Sequence, residues 1–314
     1  MPRALFLLPA WNVFGRQGLS EPLARALGRA DASRLESAGD AQLARFFDAV
    51  PRGISAAAST RQVDVGDAAG ALWLRADPAH VRPDMNGARL LGIGERLGLS
   101  QADADALLPA LKPVFGDAGF ALDAPHPARW YLRVPAGATL PAFSAPDDAL
   151  GEDLFEHQVQ GADARRWRAL LNEVQIVLHN HPWNARRQAD GLVPVNALWP
   201  WGGGRLPDHV RSDVQVCFSD DDLPCALATL AGGKAAALPP EFSFEACERT
   251  ALFDLRRTRD LAALQRDWLL PALDALARGA LDSIELDAAD GQRFRLTRGQ
   301  RWRLWRRPWS AVRA

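Results

Sequence analysis

The first apolar segment of the chain, Leu5 to Leu8, contains no polar residue. Such an uninterrupted run is expected of a strand buried on both faces, as in a parallel sheet covered by helices. Further strand patterns follow at 195–199, 214–218 and 250–255, separated by turn and helix signals. This alternation predicts an α/β fold with a mostly parallel sheet flanked by helices.

Both ends of the chain carry additional signals. Two final strands, at 282–286 and 292–297, flank Asp290-Gly291, which is a hairpin-type turn. Near the start, Asp40 is the predicted N-cap of a second helix. The clearest helix pattern covers 163–180, where apolar residues recur at helical spacing.

The region 71–134 has the pattern of a separate module. A strand at 71–75, a helix beginning at Ser100 and a strand at 129–134 indicate a small α+β unit. Turn-forming residues are frequent both before and after it. We therefore predict an inserted α+β domain at 71–150 and an α/β core domain formed by 1–70 and 151–314.

Composition narrows the classes of protein that this chain can be. A formal net charge of −1 argues against a molecule built as a whole to coat nucleic acid. Three cysteines without paired C-x-x-C spacing argue against a disulfide framework or a zinc ribbon. No apolar stretch approaches the roughly 20 residues of a membrane helix, and the first segment is too short for a signal sequence. We therefore expect a cytoplasmic protein without a transmembrane segment.

The most specific part of the sequence runs from His181 to Gly204. It reads His-Pro-Trp-Asn, then an arginine, a glycine, Pro-Val-Asn and finally Trp-Pro-Trp-Gly-Gly-Gly. This spacing resembles the signature of archaeal-type cofactor-independent phosphoglycerate mutases, which belong to the alkaline phosphatase superfamily. Trp183 departs from that signature, which has a small aliphatic residue there. The matching positions are His181, Pro182, Asn184, Arg187, Gly191, Pro194, Asn196, Trp199, Trp201, Gly202 and Gly204.

Over its whole length the chain resembles most closely the RpfE-type regulatory proteins of bacteria. The shared stretches are 72–78, 170–173 and 196–204. The resemblance implies an alkaline-phosphatase-like core with an inserted domain, and a regulatory role.

The resemblance to the mutases also implies two divalent metals, held by Asp and His, that activate a phosphoryl-carrying serine. The expected ligands are missing: the first strand ends Leu8-Pro9-Ala10, and the strand at 250–255 leads into Arg256. The last histidine is His209, and Ser55 and Ser59 lie in unremarkable context. We therefore predict that two-metal phosphoryl transfer is lost and that no metal or cofactor is needed. Mn or Mg would be required only if the protein is still an enzyme.

A vestigial site for a small phosphorylated or carboxylate ligand is predicted between the two domains. Arginine binds such anions in bidentate fashion, and a glycine-rich turn after a strand can present backbone N–H groups to them. Solvated strand faces and a tight packing turn are the alternatives for these arginines and glycines. The residues assigned to the site are Arg75, Arg129, Asn184, Arg187, Asn196, Trp199, Trp201, Gly202, Gly204 and Arg205.

The alternative function is an active phosphoglycerate mutase or phosphatase whose metal ligands have moved. Turn, helix-end and N-cap roles remain open for the same residues. The candidate ligands are Asp77, His80, Asp84, His126, His179, His181 and Asp220.

The C-terminal tail interleaves eight arginines, between Arg293 and Arg313, with Trp302, Trp305 and Trp309. Such a segment can bind single-stranded nucleic acid, form an edge strand or contact a membrane surface or protein partner. We favour a purely structural role for this tail, and a protein partner or membrane surface over nucleic acid. A nucleic-acid-binding regulator that uses this tail remains a second alternative.

Overall fold

The computed structural model describes residues 2–37, 41–84, 87–157, 159–161, 163–247 and 249–310. The chain forms two compact units. The discontinuous unit combines Met1–Gly53 with Asp208–Ala314, and the continuous unit is Ile54–Pro207.

The strands are β1 (Arg3–Leu8), β2 (Asp31–Arg34), β3 (Asp48–Val50), β4 (Leu72–Asp84), β5 (Gly87–Ile93), β6 (Ala121–His126), β7 (Arg129–Val134), β8 (Ala197–Arg205), β9 (His209–Arg211), β10 (Val216–Phe218), β11 (Lys234–Ala236), β12 (Thr250–Asp254), β13 (Ser283–Ala288) and β14 (Gln292–Thr297). The α-helices are α1 (Glu21–Arg29), α2 (Ala41–Ala44), α3 (Ala56–Asp64), α4 (Gln101–Asp117), α5 (Pro146–Ala149), α6 (Ala164–His179), α7 (Pro182–Ala189), α8 (Asp222–Leu230), α9 (Leu261–Leu264) and α10 (Leu270–Arg278). A π-helical turn (Gln265–Leu269) joins α9 to α10, and 3-10 turns cover Trp11–Phe14, Gly94–Leu97, Phe244–Ala246 and Arg298–Trp302.

The sheet of the discontinuous unit has the strand order β11-β10-β12-β1-β13-β14-β2. All pairings from β11 to β13 are parallel, and those of β14 with β13 and β2 are antiparallel. The predicted mostly parallel sheet flanked by helices is therefore confirmed, and so is the final hairpin. Strands β3 and β9 form a separate antiparallel pair.

The buried strand predicted at the start of the chain is β1. Its residues from Ala4 to Leu8 are all buried. Phe6 stacks on Phe253 with ring centroids 5.4 Å apart, and Trp268 lies edge-on to Phe253 at 5.6 Å. Apolar burial on both faces of β1 explains why this segment has no polar alternation.

The continuous unit contains an antiparallel sheet with the order β5-β4-β7-β6, and β8 also pairs with β4. Helices α4 and α6 pack on one face, where Leu107 and Val174 join the cluster around Leu74. On the other face, Ala57 of α3 packs with Trp73 and Tyr131. The Ser100 capping box and the apolar stripe of α6 lie where the sequence predicts these helices.

The unit boundaries differ from the predicted domain boundaries. Residues 54–70 and 151–207 belong with 71–150 rather than with the core. The physical reason is packing, because β8 pairs along β4 and α6 packs against α4. Strand 195–199 therefore belongs to this antiparallel sheet, not to the parallel one.

Asp40 lies outside the described residues, and the helix after it is confined to Ala41–Ala44. None of the helices formed by the described residues has the length and hydropathy that crossing a bilayer requires.

Candidate functional site

A buried ion pair lies on one strand of the continuous unit. Arg75 and Asp77 both belong to β4, and each side chain is 3% exposed. The guanidinium donates from Nε to Oδ1 at 2.7 Å and from Nη2 to Oδ2 at 2.8 Å. Trp201 donates its indole N–H to the same carboxylate at 2.7 Å, and Thr60 accepts a bond from Arg75 at 3.3 Å. Arg75 is therefore not on a solvated strand face, and its donors bind groups of its own unit.

A second ion pair extends this network. Arg129 donates two bonds of 2.9 Å to Asp64, and the hydroxyl of Tyr131 donates to the same carboxylate at 2.6 Å. Burial opposes ionisation of Asp64, but the bonds from Arg129 and Tyr131 outweigh it and lower the pKa of Asp64. Burial raises the pKa of Tyr131 far above its ordinary value. The phenol thus stays neutral beside a carboxylate that stays charged.

The glycines of the signature lie inside β8 and not in a turn after it, so that part of the prediction is wrong. Trp201 pairs with Arg75 and Gly204 with Trp73, which leaves two residues of β8 opposite one of β4. This is a β-bulge, and Gly202 supplies the positive φ of 64°. A Cβ on Gly202 would lie 2.7 Å from the Cβ of Ala56, so the glycine allows α3 to approach the strand.

The polar side chains of the signature bind the main chain of the continuous unit. Asn184 donates to the carbonyls of Leu178 and Val195, both at 2.7 Å, and accepts from the N–H of Val195. Asn196 pairs with both backbone groups of Val81, at 2.7 and 2.8 Å. The Asn196 amide therefore makes the two backbone hydrogen bonds that a neighbouring strand would otherwise make, at the point where the register between β4 and β5 shifts.

Arg187 is 2% exposed. It donates to Asp103 at 2.7 Å, to the carbonyl of Leu97 at 3.0 Å and twice to the carbonyl of Val193 at 3.1 Å. Burial opposes the charge of Asp103, but bonds from Ser100, Trp183 and Arg187 hold the pKa of Asp103 well below its ordinary value. The fixed fork of Arg187 thus connects three chain segments.

The remaining predicted ligand residues lie at the edge of the sheet. Trp199 donates its indole N–H to the carbonyl of Ser144 at 3.0 Å, and exposed Arg205 contacts the carbonyl of Gly70 at 3.4 Å. The assignment of all ten residues to a ligand stays a prediction. In the structure, the buried side chains among these ten residues form hydrogen bonds with groups of the continuous unit itself.

The structure does not gather the alternative metal ligands. Asp77 binds Arg75, His80 contacts the carbonyl of Pro194, and Asp84 binds Arg89. His181 is the N-cap of α7, and Asp220 accepts from the N–H of Leu238 in the other unit. Within the described residues, no three His, Cys, Asp or Glu side chains lie close enough to hold a metal ion.

A site that the sequence analysis missed lies where the parallel strands end. Asp254 is the last residue of β12 and is buried. Arg256 grips its carboxylate at 2.8 and 2.7 Å and also reaches Asp221 at 3.0 Å, while Ser219 donates to Asp254 at 2.9 Å. Burial opposes the charge, but the bonds from Arg256 and Ser219 lower the pKa of Asp254. The carboxylate is thus held charged.

Asp287 occupies the matching position on β13. Both aspartates are in register with Leu7 of β1, one on each side. Asp287 is fully buried, and Arg45 binds it through Nε at 2.7 Å and through Nη2. Gln42 donates to the carbonyl of Asp287 at 2.6 Å. Each buried carboxylate on this edge therefore has its own guanidinium.

The carboxyl edge of a parallel sheet is where ligands of α/β proteins usually bind. Here the positive charge beside each aspartate is already supplied by an arginine of the chain. The residues that we describe on this edge therefore do not fit a two-metal centre. One signal could have revealed part of this edge, since Asp254 is an acid that directly follows the apolar run 251–253.

Comparison with known proteins relates part of this chain to one enzyme family. A probable 2,3-bisphosphoglycerate-independent phosphoglycerate mutase of Geobacter sulfurreducens is 33% identical over 112 residues, which are 35% of this chain and 27% of that protein. A 2,3-bisphosphoglycerate-independent phosphoglycerate mutase of Methanothrix thermoacetophila is 35% identical over 66 residues, 21% of this chain and 17% of that protein. This chain is homologous in part to these mutases. The matches span less than a third of either relative, and no protein-family model matches the chain.

One solved structure extends the likeness to the fold. The PH0037 protein from Pyrococcus horikoshii has a TM-score of 0.50 at 13% identity, over 94% of this chain and 87% of that chain. A cofactor-independent phosphoglycerate mutase from Thermoplasma acidophilum gives a TM-score of 0.44 at 16% identity, over 95% of this chain and 90% of that chain. The similarity to PH0037 supports a shared fold.

Proposed function

We propose that this protein is a phosphoglycerate mutase-like regulatory protein of the RpfE type that senses a small anion. It has an alkaline-phosphatase-like core, acts in the bacterial cytoplasm and does not carry out two-metal phosphoryl transfer. One observation carries the proposal: Arg256 and Arg45 hold the two buried aspartates at the carboxyl edge of the parallel sheet.

The charge balance of that edge is the physical basis. A metal centre needs carboxylate oxygens whose charge is compensated by the metal ion. In this protein a guanidinium compensates the charge of each carboxylate and donates hydrogen bonds directly to its oxygens. Removing such a guanidinium to admit a metal would leave a buried ion pair broken. In this proposal the two aspartates stabilise the fold as members of ion pairs and take no part in metal-dependent phosphoryl transfer.

The place we propose for the anion is a cavity of about 390 Å³ in the discontinuous unit. Four arginines line it, together with the acids Asp48, Asp213 and Glu285. Arg3 binds Asp213 and Arg293 binds Glu285, while exposed Arg211 lies on β9. A small phosphorylated or carboxylate ligand would bind through bidentate contacts with these side chains.

An activity assay tests the loss of catalysis. The purified full chain would be assayed for phosphoglycerate mutase and for phosphatase activity with Mn²⁺, Mg²⁺, Zn²⁺ or EDTA. We expect no activity with any metal. EDTA-sensitive activity would contradict the proposal and support the alternative that the homology favours, an active mutase or phosphatase with relocated ligands.

A thermal-shift titration with inorganic phosphate and with 3-phosphoglycerate tests anion sensing. We expect one of these anions to raise Tm. In Arg211→Gln, about tenfold more anion should be needed for the same shift, because one charge-assisted contact is lost. Arg16→Gln is the matched control, because Arg16 is an exposed arginine of the same unit that does not line the cavity. Equal shifts in both variants would reject this site.

A further inference from the structure

The C-terminal tail is fixed to the discontinuous unit at two points. Arg303 donates to the carbonyl of Arg29 at 3.1 Å and binds the carboxylate of Asp31. Trp309 packs against Trp11 and Phe294 with ring centroids 4.9 Å away in both cases, and its N–H donates to the carbonyl of Ala24 at 2.8 Å. These contacts fix the position of the segment around Arg303 and up to Trp309 on the unit.

That segment presents three large apolar side chains to solvent. Trp302 is 67% exposed, Leu304 is 70% exposed and Trp305 is 77% exposed. These are the highest exposures of any large apolar side chain in the described part of the chain. Side chains this exposed protrude from the surface and do not line a groove, and clustered apolar exposure of this kind marks interaction sites.

The surroundings of this apolar tip are basic. The sequence from Arg293 to Arg313 contains no acidic residue. The guanidinium of Arg301 lies 4.8 Å from the ring of Trp302, and exposed Arg306 and Arg307 follow the tip directly. Positive charge thus surrounds apolar side chains that the described residues of this unit leave exposed.

We propose that the tip formed by Trp302, Leu304 and Trp305 docks this protein on the surface of an anionic lipid bilayer. Indole rings partition to the level of the lipid headgroups, and arginines near them are attracted to anionic lipids. A bilayer accepts a protruding tip without a complementary pocket, whereas a nucleic acid strand requires a basic groove that follows its backbone. This inference does not depend on the proposed anion site.

Co-sedimentation of the full chain with vesicles tests the proposal. One set contains phosphatidylcholine only, and the other contains phosphatidylcholine mixed with phosphatidylglycerol. We expect binding to the mixed vesicles, weaker binding to the neutral ones, and a decrease as salt increases. Both the double variant Trp302→Ala, Trp305→Ala and the double variant Arg306→Gln, Arg307→Gln should lower the affinity by about tenfold or more.

Control variants distinguish binding through this tip from non-specific hydrophobic binding. Ile176 and Phe155 are 63% and 61% exposed in the continuous unit, so Ile176→Ala and Phe155→Ala remove comparable apolar surface elsewhere. These variants should bind mixed vesicles like the unchanged protein. The proposal is overturned by an absence of vesicle binding, by equal loss in the control variants, or by tail-dependent binding to a single-stranded oligonucleotide without binding to vesicles.

Discussion

Three arginines of the continuous unit are buried, and each binds a carboxylate. Arg61 donates to Asp67 at 2.6 and 2.7 Å, and Arg75 and Arg187 bind Asp77 and Asp103. Asp67 is half exposed, whereas both members of the Arg75–Asp77 and Arg187–Asp103 pairs are buried. Removing one member of either buried pair leaves an uncompensated buried charge, which costs about 3–5 kcal/mol. These side chains therefore stabilise this unit only as pairs, and any ligand would have to compete with an internal carboxylate.

Tyr131 reports on the same network, and it is the only tyrosine of the chain. Burial and its bond to Asp64 raise the pKa of its phenol. We expect the folded protein to show almost no tyrosinate absorbance at about pH 11, one unit above the ordinary pKa of about 10. The urea-unfolded protein should show nearly the full signal at that pH.

The same shift predicts the direction of a stability change. The neutral phenol is favoured in the folded state, so its contribution is complete below about pH 10 and decreases as the pH rises above that value. The free energy of unfolding should therefore fall more steeply above pH 10 in the unchanged protein than in Tyr131→Phe. Equal slopes, or an early tyrosinate signal in the folded protein, would contradict the buried neutral phenol.

At the scale of elements, the contact between α3 and β8 depends on the glycine bulge. Gly202→Ala would place a Cβ 2.7 Å from that of Ala56 on a backbone with φ of 64°. Overpacking costs about 1–3 kcal/mol and the left-handed conformation about 1–2 kcal/mol. We therefore expect a loss of roughly 2–5 kcal/mol in the free energy of unfolding, measured by urea denaturation.

Gly191→Ala is the matched control for this substitution. Gly191 also has a positive φ, 75°, but a Cβ there meets no atom within 4 Å. Its substitution should cost only the conformational part, about 1–2 kcal/mol. If Gly202→Ala costs no more than Gly191→Ala, then the glycine is needed for its backbone angle and not for the approach of α3.

For the whole molecule, the sequence predicts the parallel sheet because β1 is buried on both faces and thus continuously apolar. It does not predict the unit boundary at Ile54, since that boundary depends on long-range pairing of β4 with β8. It also does not reveal that Asp287 meets Arg45, because these two residues lie 242 positions apart along the chain and meet only in the folded unit. The local hydrophobic pattern thus predicts individual helices and strands, whereas the unit boundary and the buried ion pair depend on long-range contacts.

The division into units leads to a prediction about folding. The continuous unit has an uninterrupted sequence, its own sheet and its own apolar cluster around Leu74, Leu132 and Trp130. A segment with these properties is expected to fold alone. The excised segment 54–207 should therefore unfold cooperatively in urea and give dispersed amide resonances in NMR spectra.

The segment 1–53 is a control fragment that we expect to stay unfolded. The segment 1–53 lacks the neighbours of β1, because β12 and β13 come from the C-terminal part of the discontinuous unit. Without them the apolar side chains of β1 are exposed, so this segment should stay unfolded by itself. Non-cooperative unfolding of 54–207 would mean that its network of buried arginine–carboxylate pairs forms only in the full chain, because unsatisfied buried charges cannot be tolerated in a partly ordered core.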